Sequence, residues 1–366
     1  VRNNTSHSHQ GGYGFAISVH GDSVTVDDNE TYDNRNGLSI GVNDGGTATG
    51  NLSYDNEDRG FDITGPLRLE NNTAHGNEDG VDIERGAMAV ANTVYNNSRY
   101  GIRAEDNVLI SRNRIYANDV GVYLRGEAND VRNNVLYQNA NSAVYIEVAR
   151  RSRIRNNTIR ADNASALVFR SGQTEPVSVH NNILQIIDGT GFDVEVSSQD
   201  GLISDYNLFD LQGTATLATW GSTPVADRTE WHYELGFDAH SLTADPAFVD
   251  PDGHDDALGY DVDAAANHGA DDDFRLNADS PAVDRGHPDH TYHAEPEPDG
   301  RRLNIGAFGN TADAATSDAP TLTLVTPHGL EKFLPGQEVL LRWITDNAES
   351  ADPDERLAEA LQDSQI

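Results

Sequence analysis

Cysteine is absent from the 366 residues, and lysine occurs once, at Lys332. The first absence excludes a disulfide framework, a thiolate metal site and a cysteine nucleophile. The second leaves arginine to supply 24 of the 25 basic side chains, against 60 acids, for a formal charge of −35. That balance excludes the net basic surface which nucleic-acid backbones require. No apolar run approaches the roughly 18 residues of a membrane-spanning helix. Aromatics are sparse at 7%, and hydrophobic residues reach only 37%. These values are low for a compact globule but adequate for an elongated repeat protein, in which each unit buries its own slice of core. An acidic surface that avoids lysine points to a salt-adapted (halophilic) or GC-rich source. Val1 opens inside a repeat, without a methionine or leader segment, so the expectation is a fragment of a longer chain.

What is abundant is asparagine and glycine, and both recur. Asn4, Asn29, Asn51, Asn72, Asn92, Asn113, Asn134, Asn157, Asn182 and Asn207 follow one another at steps of 20 to 25 residues. A second series of small residues, Gly14, Gly37, Gly60, Gly80, Gly101, Gly121, Ala143 and Ala166, keeps phase with it. After most of these comes an apolar–x–apolar triplet, as in Phe15–Ile17, Leu38–Ile40, Phe61–Ile63, Val81–Ile83, Val122–Leu124 and Val144–Ile146. Alternation of period 2 marks a strand with one buried face, and no helical period competes with it. A unit of about 22 residues holding two or three short strands reads as one coil of a parallel β-helix. Stacked coils bring equivalent residues about 4.8 Å apart. The asparagines then form an internal ladder, amide to amide, at a sharp turn. The fold expected is all-β, a parallel β-helix of about nine to ten coils.

Asn71-Asn72-Thr73 and Asn156-Asn157-Thr158, followed by Gly-apolar-x-apolar strands, resemble the right-handed parallel β-helix proteins of the pectate-lyase-like superfamily. The resemblance covers residues 1–212. It implies a right-handed helix, an extracellular or cell-surface setting, and a sheet face that receives a polysaccharide. Superfamily members share coils and differ in their sites, so reaction does not follow from fold. In rhythm residues 14–56 are similar to alginate (mannuronan) C5-epimerase modules. Their Asp-Pro-His signature is missing, however, because Ala16-Ile17-Ser18 follows Tyr13-Gly14-Phe15. Gly-His-Gly and Arg-Ile-Lys elements of the polygalacturonase kind are missing as well.

Residues 213–316 lose the repeat and resemble the irregular C-terminal caps of such helices, which cover the last coil's core and open strand edges. Residues 317–345 hold two alternating strands around Pro335-Gly336 and resemble the start of an immunoglobulin-like module, too short to complete a sandwich. Residues 346–366 form an acidic tail.

Within each core strand the residues between the apolar ones point outward, and stacking turns them into rows. One row reads Ala16, Ser39, Asp62, Asp82, Arg103, Tyr123, Tyr145, Val168; the next reads Ser18, Gly41, Thr64, Glu84, Glu105, Arg125, Glu147, Arg170. Arg35 and Arg59 fall outside both. Asp, Glu, Arg and Tyr concentrate in the middle coils, which suits a uronate polymer cleaved by β-elimination. Removing the proton α to a carboxylate needs a cation, a base and an acid for the leaving oxygen. Arg103 and Arg125 are the candidate cations, and Tyr123 and Tyr145 the candidate base or acid, with hydroxyls expected to face solvent. Asp62, Asp82, Glu84, Glu105, Glu147 and Arg170 are candidate substrate contacts. Asp62, Asp82 or Glu84 could hold a calcium ion there. The other class of reading is a non-catalytic adhesive or structural solenoid whose outer face is a ladder of ion pairs.

Residues 97–170 contain 12 arginines and 7 acids, a local +5 inside a chain of −35. Arg112, Arg132, Arg153 and Arg155 enter the asparagine turn, on a different face from Arg103 and Arg125, so the basic belt wraps the coils. A local positive field suits an anionic glycan, above all in high salt, where a Debye length of about 3 Å silences distant acids. Asp250, Asp252, Asp255 and Asp256 around Gly253 make a candidate calcium loop without the distal glutamate of an EF-hand. His7, His9 and His20 on the first coil could bind zinc, whereas His287, His290 and His293 read as a loop.

Overall fold

A computed structural model describes residues 1–9, 11–19, 23–172, 175–317, 322–327 and 329–345. Nine complete coils, with partial coils at each end, stack into three parallel sheets. The first, called here the charged sheet, runs from Tyr13–Val19 through Arg59–Thr64, Tyr100–Ala104, Val120–Glu127 and Ser142–Arg150 to Thr216–Trp220. The short sheet runs from Val24–Asp27 to Leu202–Asp205, and the tyrosine sheet from Thr5–His7 to Leu208–Gln212, with Leu242–Thr243 at its edge. The apolar triplets behave as expected. Ile40, Ile63, Ile83, Leu124 and Ile146 all point into one continuous core and are buried.

Between the short and tyrosine sheets each coil bends sharply at a residue of positive φ, such as Asn71 (φ 54) or Arg112 (φ 57). Such a backbone costs energy for any residue with a Cβ, and the asparagine that follows supplies the compensation. Asn113 Nδ2 donates to Asn134 Oδ1 at 2.9 Å and to the Ala89 carbonyl at 3.0 Å. Its backbone N–H donates to the same Asn134 oxygen. The pattern repeats from Asn4 to Asn207 at 2.8–3.1 Å. A second ladder, Asn34, Asn56, Asn77, Asn97, Asn118 and Asn139, lines the turn into the charged sheet. It explains the glycine series. A Cβ on Gly60 would meet the Gly80 carbonyl at 2.6 Å and Asn77 Nδ2 at 2.8 Å. Beyond Asn139 the tyrosine-sheet strands lengthen from three residues to five, as at Thr158–Asp162, and alanine replaces glycine at positions 143 and 166.

The region expected to be one cap, residues 213–316, does two jobs. Residues 221–243 close the last coil, through the only α-helix among the described residues, Arg228–Leu235. Asp227 caps it by accepting from the Glu230 N–H at 3.0 Å, and the Glu230 carboxylate accepts from the Ala226 N–H at 2.7 Å. Its Trp231 is wholly buried against Phe192 and Phe237. Asp238 ends the first ladder by accepting from Asn207 Nδ2 at 3.0 Å and Trp231 Nε1 at 2.8 Å. Burial raises its proton affinity, and these donors oppose that rise.

Residues 244–316 instead form a strap along the helix flank. The tyrosine sheet presents an outward stack of His7, Tyr32, Tyr54, His75, Tyr95, Tyr116 and Tyr137, with ring centroids 4.8–5.1 Å apart. The strap covers its C-terminal half, with Tyr260 against Tyr95 and Phe274 against Tyr137. Tyr116 donates its hydroxyl to Asn267 Oδ1 at 2.7 Å. Further along, Leu322–Thr326 pairs antiparallel with Arg342–Thr345. The expected acidic tail at 346–366 and His20 lie outside the described residues.

Candidate functional site

Sheet register builds the outer face of the charged sheet. Ser39, Asp62, Asp82, Arg103, Tyr123, Tyr145 and Val168 pair directly from coil to coil in one row. Arg125, Glu147 and Arg170 pair in the neighbouring row, as do Thr64 and Glu84. Arg103 and Arg125 therefore sit on adjacent strands of one face, two residues out of register.

Most charges in these rows have found each other. Asp82 is nearly buried between two guanidinium groups, Arg103 Nη1 at 2.8 Å and Arg59 Nε at 3.1 Å. Burial pushes its carboxyl above the usual range, while Arg103 and Arg59 pull it back. Arg103 also holds Glu105, so its charge is already compensated. Arg59 reaches Asp62 at 3.3 Å as well as Asp82. Arg59 does fall outside both rows, as expected, but its side chain reaches into them and makes it a member of the cluster. Glu84 accepts from Thr64 Oγ1 at 3.0 Å, and Arg170 pairs with Asp193 at 2.5 Å.

Arg125 differs. Exposed at the surface, it makes no ion pair among the described residues. The pairing between its strand and the next shifts between Arg125 and Glu127, and Gly126 takes φ +80 there. A Cβ at Gly126 would strike Asp106 Oδ1 at 2.0 Å, so only glycine permits this bend. The bend opens a shallow recess of about 550 Å³, lined by Arg125, Glu105, Glu127 and Arg150.

Beside it, Tyr100, Tyr123 and Tyr145 stack with centroids 4.7 and 5.8 Å apart. The Tyr123 hydroxyl was expected to face solvent. Instead the side chain is 9% exposed and the hydroxyl donates to the Glu147 carboxylate. Burial first, and then this bond, push the phenol far above its ordinary value. Tyr123 stays protonated and is fitted to donate, not to abstract, a proton.

Sequence reasoning missed a third row, the residue before each small residue. Arg59 pairs with Asp79 and Tyr100 with Val120 in register. Fully buried Asp79 takes a bidentate pair from Arg99 at 2.8 and 2.5 Å, and Arg99 lies 4.8 Å over the Tyr100 ring. The signal was available, since this row has the same period as the other two.

In the candidate calcium loop, Asp255 turns to His268 Nδ1 at 2.7 Å, while Asp252 and Asp256 lie close to Asp250. Among the described residues no group of three or more His, Asp or Glu side chains forms an ion's ligand set. His7 stacks on Tyr32, and His287 stacks on His290 at 4.5 Å beside His180. His293 packs apart from them, on Tyr292. No helix among the described residues is long and apolar enough to cross a membrane.

Comparison with known proteins bears on the fold. Residues 1–107 and 68–209 match the family model described as right handed beta helix region. No curated protein matches. Among solved structures the chain is similar to XylC, solved in complex with xylose, at 11% identity and a TM-score of 0.41. That match covers 70% of this chain and 61% of the other, so the chain spans less than two thirds of that protein's length. It is also similar to pectate lyase Pel9A, at 14% identity and a TM-score of 0.45, over 84% of this chain and 86% of the other. Coils, ladders and family match agree, and the chain belongs to the right-handed β-helix family.

Proposed function

We propose that the charged sheet binds an acidic, uronate-containing polysaccharide and cleaves it by β-elimination. The observation that carries this reading is Arg125, an exposed guanidinium with no ion pair among the described residues, placed beside a tyrosine stack on a rigid sheet. Strand spacing of about 4.8 Å gives a regular array for a linear polymer lying across the coils. Arg125 neutralises the carboxylate and so acidifies the α-proton. Tyr123, held protonated by burial and Glu147, donates to the leaving oxygen. Tyr145, next in the stack at 5.8 Å, is the candidate base. The C–H and C–O bonds break, a carbon–carbon double bond forms, and the base keeps the abstracted proton.

One observation favours a non-catalytic binding solenoid instead: Asp82, Arg59, Arg103 and Glu105 already satisfy one another. Incubation with alginate, pectate and glycosaminoglycans, with calcium present, separates the two by absorbance of the unsaturated product. Product that vanishes in Tyr123→Phe supports elimination. Binding without product from any polymer supports the binding solenoid.

A further inference from the structure

The sequence shows a basic belt that reaches round the coils, and the charged sheet accounts for only part of it. On the opposite flank, where the short sheet turns into the tyrosine sheet, Arg112 and Arg132 come from successive coils at the edge of a cleft of about 630 Å³. That volume lies within the roughly 300–1,000 Å³ of small-molecule sites. The strap supplies the far wall, with Phe308 and Ala307 as apolar surface and Asp313 at the rim.

Charge in the cleft is unbalanced. Four arginines and one aspartate line it, 4 − 1 = +3, inside a protein of −35. Arg68 is answered by Glu70 at 2.7 Å. Arg114 is spent on strap carbonyls, donating to Gly269 and Asp272. Among the described residues Arg132 pairs only with Asp130, at 3.8 Å, and that carboxylate is held bidentately by Arg155 at 3.1 and 2.8 Å. Arg112 is exposed and has no ion pair among the described residues, the nearby Glu70 being bound to Arg68.

The cleft is also rigid. Asn133 Nδ2 pins the strap by donating to the carbonyls of Ala307 at 2.9 Å and Gly309 at 2.8 Å. Thr158 Oγ1 accepts from the Ala307 N–H at 3.0 Å. Glu295, itself buried, accepts from the Asn310 N–H at 2.7 Å and fixes the rim. A preformed cavity with one guanidinium group lacking an ion pair among the described residues (Arg112) and one only weakly paired (Arg132), beside an apolar wall, is built for an oxyanion on a ring-sized body.

We propose that this cleft is a second binding site, independent of the charged sheet, for a short sugar bearing carboxylate or sulfate groups. Guanidinium forks supply the charge recognition, and Phe308 contacts the ring.

Calorimetric titration of the Arg125→Ala protein, in which the charged sheet has lost its free cation, tests it. The probes are trigalacturonate, its methyl ester, and a trisaccharide carrying sulfate esters. The acid or the sulfate should bind at low ionic strength and the neutral ester should not; which of the two binds tells the source of the oxyanion. Arg112→Ala/Arg132→Ala should weaken that binding by roughly tenfold or more. Asp313→Asn should strengthen it, because it removes the carboxylate that faces the ligand. That opposite sign separates a binding effect from damage to the fold. Equal binding of ester and acid, no binding of any probe, or an unchanged affinity in the double variant would each overturn the proposal. Loss of polymer binding through Arg125 alone bears on the charged sheet and leaves this cleft untouched.

Discussion

Two outward faces of the same coils have opposite fates. The tyrosine sheet presents an unbroken aromatic stack, and the strap buries its C-terminal half: Tyr116 and Tyr137 are fully buried. The charged sheet presents Asp, Glu, Arg and a shorter tyrosine stack, and nothing in the described chain covers it. Both are parallel sheets built by the same coils. What differs is the side chain that each strand points outward, and so which face the rest of the chain can dry. A face that water must solvate stays polar. A row of aromatic rings instead invites cover, because each ring removes a large apolar area from water. The open face is therefore the one on which a polymer can lie.

The largest effect tests what both faces share. Asn134 is wholly buried and takes part in bonds to Asn113, Ile110 and Asn157. Asn134→Leu should cost about 4–5 kcal/mol, since several buried amides lose partners together, and denaturant unfolding measures it. An unchanged midpoint would mean that the ladder does not hold the turn.

The next substitution sharpens the contrast. Tyr137→Ala should cost about 3–4 kcal/mol, because it leaves a cavity under the strap. Tyr145→Ala, on the open face, should cost less than about 1 kcal/mol. Equal losses in thermal melts would erase the distinction between covered and open faces. Between them falls Asp82→Ala, at about 2 kcal/mol, which leaves Arg59 and Arg103 facing each other without their shared carboxylate.

A smaller effect is in the strap's pH dependence. Burial and the neighbouring imidazoles lower His290 to about 4, against 6.5 when unfolded. Its contribution is intact above pH 6.5 and is lost as pH falls toward about 4. Glu295, raised by burial to about 7 from 4.5, acts in the reverse sense: its contribution is intact below pH 4.5 and lost as pH rises to about 7. His290→Gln should flatten the acid side of the stability curve and leave the neutral side as it is. Melting temperatures between pH 4 and pH 7.5 check this, and parallel curves for the two proteins would refute it.

The coils were legible because their physics is local and repeated. Period 2 places Ile63 and Ile83 inside, and phase between the series places Asp82 beside Arg103. Ion pairing was not legible, because row position does not say whether Arg103 meets water or Asp82. Nor was Arg59 legible as a cluster member, because its row keeps the period but spacing does not tell that a long side chain reaches across to Asp62 and Asp82. The strap carries no period at all. Its path depends on side chains such as Asn133 and Arg114 meeting backbone more than 150 residues away, which spacing alone does not encode. The helix at Arg228–Leu235 left a faint signal, Asp227 with Glu230 at its start and Gly236 at its end, and Trp231 as its one buried side chain.

The most direct test of the account compares polyuronate binding by two arginine pairs at low ionic strength. Arg103→Ala/Arg125→Ala alters the charged sheet, whereas Arg35→Ala/Arg153→Ala removes the same charge from exposed positions elsewhere. Titration with polygalacturonate should show roughly tenfold or greater loss for the first pair and less than about twofold for the second. Equal losses would contradict the account, because diffuse charge and not the charged sheet would then be what draws the polymer.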